Sequence, residues 1–231
     1  MILEGLREAA MLLWRLDAAV LDAAARSVFV SVLAVTAASI VGIALGLTLA
    51  RKPIPGRKAW VLLLRLGMSA PTVLIGLLCY AALSRRGPLG EWELLYTIWA
   101  IVIGEFFLAL PIVAVLTHGA IAGLDSRLAE TAFTLGAGPL RRAWTYLNEA
   151  RLAIALAILT AFSRCFTELG IAVMVGGNLP GRTRTLTTAT ALETARGEFA
   201  RGLAMSLILL AIALLATAAI AWFSREDEAP A

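Results

Sequence analysis

The chain has 231 residues, 60% of them hydrophobic and 16% charged, with a formal net charge of +4 and a mean hydropathy of +0.86. Soluble domains carry about 25% charged residues, and no soluble core of this size hides so much apolar side chain, so the composition excludes a disordered chain and implies an integral membrane protein. The basic residues are scattered rather than gathered in one stripe, which argues against nucleic-acid binding.

In chain order, the first element is residues 2–21, where Leu3, Leu6, Leu13, Leu16 and Val20 recur at helical spacing between Arg7, Glu8, Arg15 and Asp22. This predicts an interfacial amphipathic helix over residues 1–24 rather than a span or a secretory leader. A bilayer-crossing helix needs about 20 mostly apolar residues. Five stretches meet that test: Ser27–Ala50, Ala59–Ser84 containing Pro71, Tyr96–Thr117 containing Pro111, Leu152–Val175 and Gly202–Phe223. Gly42 and Gly46 form a GxxxG pair that predicts a closely packed neighbour for the first span. The connection Arg51-Lys52-Pro53-Ile54-Pro55-Gly56-Arg57-Lys58 is dense in cations and predicts a cytoplasmic loop. That orientation puts the N-terminus outside, residues 119–151 and the short tail 224–231 inside, and residues 176–201 outside. The whole chain, 1–231, reads as one transmembrane domain with an all-α fold.

Several chemistries find no support. Neither lysine, Lys52 or Lys58, follows a glycine as in a nucleotide-binding P-loop. His118 is the only histidine, which disfavours zinc-protease chemistry and a Ser-His triad, and Gly67-Met68-Ser69-Ala70 is not a nucleophile elbow. Cys79 and Cys165 sit in apolar runs and read as small buried hydrophobes. The chain is expected to be non-catalytic and to bind no metal or other cofactor.

The inner connection is the most informative stretch. Asp125 can cap a short helix whose apolar face is Leu128, Ala132 and Leu135, and Gly136 suits the left-handed residue that ends it. Pro139 suits the first turn of a second helix, with Leu140, Ala143, Trp144 and Leu147 as its apolar stripe and Arg141, Arg142, Thr145 and Asn148 opposite. Two such helices joined at a glycine make a knob suited to docking another protein. Glu130, Ala132 and Gly136 here resemble the EAA loop of ABC-importer permeases, with Thr131 at a position usually Ala and Tyr146-Leu147-Asn148-Glu149 in place of the usual Ile-x-Leu-Pro ending. By that resemblance the loop is the coupling element that enters a groove on a separate ATP-binding subunit, through Glu130, Ala132 and Gly136, with Arg127, Arg141 and Arg142 facing acidic residues there.

In the fourth span Thr160, Ser163, Arg164, Thr167 and Glu168 fall on one helical face, and Arg164 and Glu168 are spaced to pair. Charges near mid-membrane cost about 2.5–3.5 kcal/mol each on insertion scales, so they need a bundle interior or a wet path. Two readings stand: a structural ion pair, or the lining of a transport path or its gate. Arg65 lies near enough to a span end to snorkel. Glu105 is deep enough to meet Arg164 across the bundle.

After the fourth span, residues 176–188 hold Asn178, Arg182 and Arg184 among glycines and many threonines, Thr187 included. Such a surface favours a small oxyanion; lipid phosphates or a docking partner are the other readings. The runs Val173-Met174-Val175-Gly176-Gly177-Asn178, Thr183-Arg184-Thr185-Leu186-Thr187-Thr188-Ala189 and Ala191-Leu192-Glu193-Thr194 resemble the permease of tungstate ABC importers, and Arg164 with Glu168-Leu169-Gly170 resembles a feature of oxyanion permeases. The resemblance spans about Ala25 to Trp222. It implies a type I, molybdate-permease-like fold in the cytoplasmic (inner) membrane and a homodimer with the path at its interface. It also implies an extracytoplasmic substrate-binding protein that delivers tungstate, and a separate ATPase that supplies ATP hydrolysis. Molybdate, sulfate or another small solute remains open as cargo, and a self-sufficient secondary transporter is the rival of a different class.

Overall fold

A computed structural model describes residues 6–7, 10–11 and 18–225. Its helices are α1 (Ala18–Arg51), α2 (Arg57–Met68), α3 (Thr72–Leu83), α4 (Ile98–Ala122), α5 (Ser126–Thr134), α6 (Pro139–Glu149), α7 (Arg151–Phe166), α8 (Gly170–Gly176), α9 (Leu186–Ala195) and α10 (Phe199–Arg225), with a 3₁₀ turn at Gly90–Trp92. No strand occurs among the described residues.

Helix α1 begins well before the expected Ser27. The segment Ala18–Arg26 is alanine-rich, Arg26 pairs with Asp22 one turn away, and nothing there breaks a helix. Val20, expected on an interfacial helix, is instead buried in α1 against Leu186 and Ile208. Most of that expected helix, Leu3, Leu13 and Leu16 included, lies outside the described residues, as does the tail from 226 on.

The buried positions of α1 include a stripe of small side chains: Ser27, Ser31, Ala34, Ala38, Gly42, Gly46 and Ala50. Against it lies α4. A Cβ at Gly46 would stand 2.7 Å from the Ala114 carbonyl oxygen, and one at Gly42 would stand 3.0 Å from the Val113 Cβ. The glycine pair therefore brings two backbones together, as its spacing predicts. The outward side of α1 carries large apolar residues, Phe29, Ile40 and Leu45 among them, as a lipid-facing side should.

Among the described residues α1, α4 and α10 are long and apolar enough to cross a membrane, and α4 runs unbroken through Pro111. The other two expected spans are each bent. Helices α2 and α3 meet at 100°, and α7 and α8 at 58°. At the first break Pro71 has no N–H to give α2 and disfavours helical geometry at Ala70. At the second, the Glu168 carboxylate turns back and accepts the Ile171 N–H at 3.2 Å, capping α8 as a new helix.

The main core gathers around α4: Ile101, Leu108, Val113 and Ala109 meet Val30 and Ala34 of α1, Ala161 and Cys165 of α7, and Ile171 and Val175 of α8. Ser27 Oγ accepts the Leu186 N–H at 2.9 Å at one end of α1, while Arg51 at the other end donates to the Ile121 carbonyl at 2.9 Å. At about 1.5 Å per residue the stretch between Ser27 and Arg51 covers about 36 Å, enough to cross a hydrocarbon core of about 30 Å. Residues 176–186 and the α5–α6 knob therefore lie at opposite ends of the bundle.

Candidate functional site

The knob is built by local signals. Asp125 accepts the Arg127 N–H at 2.9 Å and starts α5. Gly136, at φ 71, ends it; the Gly136 N–H donates to the Phe133 carbonyl and the Ala137 N–H to the Ala132 carbonyl, both at 3.0 Å. This is a complete left-handed cap. Pro139 opens α6. The Arg142 guanidinium lies 5.7 Å from the centre of the Phe133 ring and ties the two helices together.

Of the expected coupling residues, Glu130, Arg127, Gly136 and Arg141 are exposed and Ala132 is buried. The expected apolar faces are only partly inward. Leu135 follows the end of α5, leaves its face and is 80% exposed. On α6 the stripe splits: Ala143 and Leu147 turn towards the bundle, while Leu140 and Trp144 are 86% and 72% exposed. The residue that anchors α6 is Tyr146, buried with Ala50, Ile121, Ala150 and Ile154. Its ring lies 4.3 Å beneath the Arg51 guanidinium. Arg51 thus joins the ends of α1 and α4 to α6. The sequence showed Arg51 only as one of several loop cations; the geometric link crosses three elements and leaves no local signal.

The second polar cluster lies where the bent pairs break. The break divides the expected stripe. Thr160, Arg164 and Thr167 are exposed on the outside of α7 and its end, Ser163 is half-buried, and Glu168 turns inward. Arg164 Nη1 donates to Glu168 Oε2 at 2.9 Å, with the Arg side chain 44% exposed and the Glu side chain 3%. The hydroxyls of Thr160 and Thr167 donate to backbone carbonyls one turn back, those of Leu156 and Ser163. The Thr187 hydroxyl donates to the Glu168 carbonyl at 2.9 Å, so Thr187 serves the break rather than the loop surface. A Cβ at Gly170 would lie 3.2 Å from both Glu168 Oε1 and Thr72 Oγ1. The first residue of α3 therefore meets the first residue of α8, and both breaks sit at one place.

The expected meeting of Glu105 with Arg164 does not occur. Helix α7 turns Cys165 towards α4, where its Sγ lies 3.5 Å from the Glu105 carbonyl, and Arg164 faces out. Glu105 is buried beside Ser31, within electrostatic reach of Glu168, with Oε2 lacking a hydrogen-bond partner.

The threonines of residues 183–188 are mostly spent on the chain itself. Thr183 donates to the Gly176 carbonyl at 2.6 Å and accepts the Leu179 N–H; Thr185 and Thr188 cap α9 reciprocally. All three are buried, so they offer no hydroxyl to a surface ligand. Arg184 Nε donates to Asn178 Oδ1 at 3.1 Å, and Arg182 is exposed.

Residues 42–226 match the family described as "Binding-protein-dependent transport system inner membrane component". The chain belongs to that family. It is 44% identical to the tungstate uptake system permease protein TupB of Campylobacter jejuni over 146 residues, which cover 63% of this chain and 61% of that one. With the protein of the same name from Peptoclostridium acidaminophilum it shares 35% identity over 98% of this chain and 99% of that one. A solved structure described as "Crystal structure of an amino acid ABC transporter with histidines" superposes with a TM-score of 0.67 at 15% identity, covering 94% of this chain and 97% of that chain. The fold is thus that of an ABC-transporter membrane component, and the helical, multi-pass architecture agrees with an inner-membrane family.

Proposed function

We propose that this chain is the transmembrane permease subunit of an ATP-binding-cassette importer that passes a tetrahedral oxyanion, tungstate, across the cytoplasmic membrane. Residues 1–231 form its single permease domain, two copies assemble with the path between them, an extracytoplasmic binding protein delivers the anion, and a separate ATPase docks on each knob. The chain needs no cofactor of its own; ATP belongs to the ATPase. The N-terminus lies outside and the C-terminus in the cytoplasm, with the cationic loop Arg51–Lys58 inside.

One observation carries the reading of a driven subunit. The knob leaves Phe133, Leu135, Leu140 and Trp144 bare at the bundle end where Arg51 links it to α1 and α4. An apolar patch on an exposed, well-capped knob suits a protein groove. Its link to two long helices suits the conversion of ATPase closure into helix tilt. The cargo rests on the similarity to the tungstate relatives. The Arg164–Glu168 pair at the joined breaks is the candidate gate. Its cation is half-exposed and able to meet a passing anion, while its carboxylate is anchored to the Ile171 N–H.

The test is co-purification of the ATPase from detergent with the unmutated chain and with Glu130→Ala, followed by uptake in vesicles holding the complete transporter. ATPase retention that drops in Glu130→Ala, and ATP-dependent tungstate uptake lost in Arg164→Ala with assembly intact, are the expected results. Uptake without any ATPase would overturn the reading in favour of a secondary transporter.

A further inference from the structure

The amphipathic helix α2 carries a basic cluster that neither the knob nor the broken spans employ. Arg57, Lys58 and Arg65 of α2 line a cavity of about 540 Å³ with Val61, Leu62 and His118, the last near the end of α4. None of these lining residues is acidic. Among the described residues no ion pair engages Arg57, Lys58 or Arg65. Arg57 Nη2 lies 3.3 Å from His118 Nε2. An arginine can only donate, so a hydrogen bond here takes the imidazole nitrogen as acceptor. Among the described residues, three cations thus converge on one opening that no acid lines.

The rest of α2 indicates what supplies the missing charge. No residue of α2 is buried, and Trp60, Leu62, Leu63 and Leu66 are all more than half exposed. A short helix with a cationic side, an apolar side and a tryptophan between them has the composition of an interfacial helix. Its 100° bend from α3 agrees with a helix that does not continue the line of its partner. A second copy that packed α2 against α2 about a two-fold axis would set these cations against themselves and is a poor occupant. Basic pockets between helices at a membrane face are suited to lipid head groups.

From this juxtaposition we infer that the α2–α4 cavity is a binding site for the phosphodiester of an anionic phospholipid, held by Arg57, Lys58 and Arg65, with its acyl chains along Leu62 and Leu66. The site is independent of the cargo and of which way the chain is oriented. Its place next to the end of α4, where Arg51 also bonds, lets a bound lipid steady the bundle end that carries the knob.

Native mass spectrometry of the full chain in detergent, titrated with phosphatidylglycerol or phosphatidylcholine, tests it. The unmutated chain should retain phosphatidylglycerol in preference. The Arg57→Gln/Lys58→Gln/Arg65→Gln variant should lose that preference roughly tenfold or more, since each cation near a lipid surface contributes to the attraction. Arg85→Gln/Arg86→Gln, which removes as dense a pair of exposed cations elsewhere, should leave it unchanged. If the triple variant does not fold, Lys58→Gln alters one exposed side chain and should lower retention by about threefold. An unchanged preference in both cavity variants overturns the site. So does an equal loss in the Arg85/Arg86 variant. Displacement of phosphatidylglycerol by millimolar inorganic phosphate would assign the cavity to a free anion and overturn the lipid.

Discussion

Gly46 decides how near α1 and α4 come. Any side chain there meets backbone, the Ala114 carbonyl oxygen, and backbone does not move aside as a long side chain does. Gly46→Ala should therefore cost about 1–3 kcal/mol, the usual penalty for overpacking, and lower the thermal midpoint of the detergent-purified protein. Gly119, on the same α4, has nothing within 4 Å of an added Cβ. Gly119→Ala replaces a poor helix former with the best and should be neutral or stabilising by up to about 1 kcal/mol. Thermal unfolding of the two variants side by side checks the opposite signs. The spacing of Gly42 and Gly46 made this contact legible in advance. The roles of Thr183, Thr185 and Thr188 were not legible, because a threonine beside arginines looks the same whether its hydroxyl faces an anion or its own backbone.

At the scale of elements, the ends of α5 and α6 were readable because caps are local. Asp125, Gly136 and Pro139 each act within a few residues of themselves. Which side of α6 faces in was not readable, since Leu140, Trp144, Tyr146 and Leu147 are all apolar enough to be buried. The contact between Arg51 and Tyr146 chose the inward side. The two sides should respond differently. Tyr146→Ala empties a packed position and should destabilise by about 3–5 kcal/mol, as large aromatic truncations do. Leu140→Ala with Trp144→Ala should shift stability within about 0.5 kcal/mol each, as exposed changes do. Those same outward changes should reduce co-purifying ATPase at least about tenfold, because central apolar anchors dominate docking energy. Chemical unfolding and a pull-down on the same preparations separate the two sides.

The molecule as a whole presents a problem that one copy cannot solve. Thr160, Arg164 and Thr167 lie exposed on the outside of α7, whereas the outward side of α1 carries Phe29, Ile40 and Leu45. A charged and hydroxylated strip facing hydrocarbon is costly. Facing its own copy across a wet path, it is not. Thr160→Cys should therefore form a disulfide between two chains in membranes treated with a mild oxidant, giving a band of doubled mass on a non-reducing gel. Ile40→Cys, on the lipid-facing side of α1, should not. Native Cys79 and Cys165 are buried and should add little background. The reverse pattern would move the dimer face to α1.

Composition alone pointed to a membrane protein, because so much apolar side chain has no other place to go, and five apolar stretches of helix-spanning length made it helical. Caps and the glycine pair were determined by sequence for a common reason: each acts through neighbours in the chain or through a fixed helical period. Tertiary structure decided what depends on partners from distant segments. It bent two of the five expected spans, joined their breaks at Thr72 and Gly170, and drew Glu105 towards Ser31 and Glu168 instead of Arg164. It also gathered Arg57, Arg65 and His118 around one cavity. A helical period says which residues share a face. Only the packing of α4 against α1, α2, α7 and α8 says which face looks inward, because that choice is a sum of contacts no single segment contains.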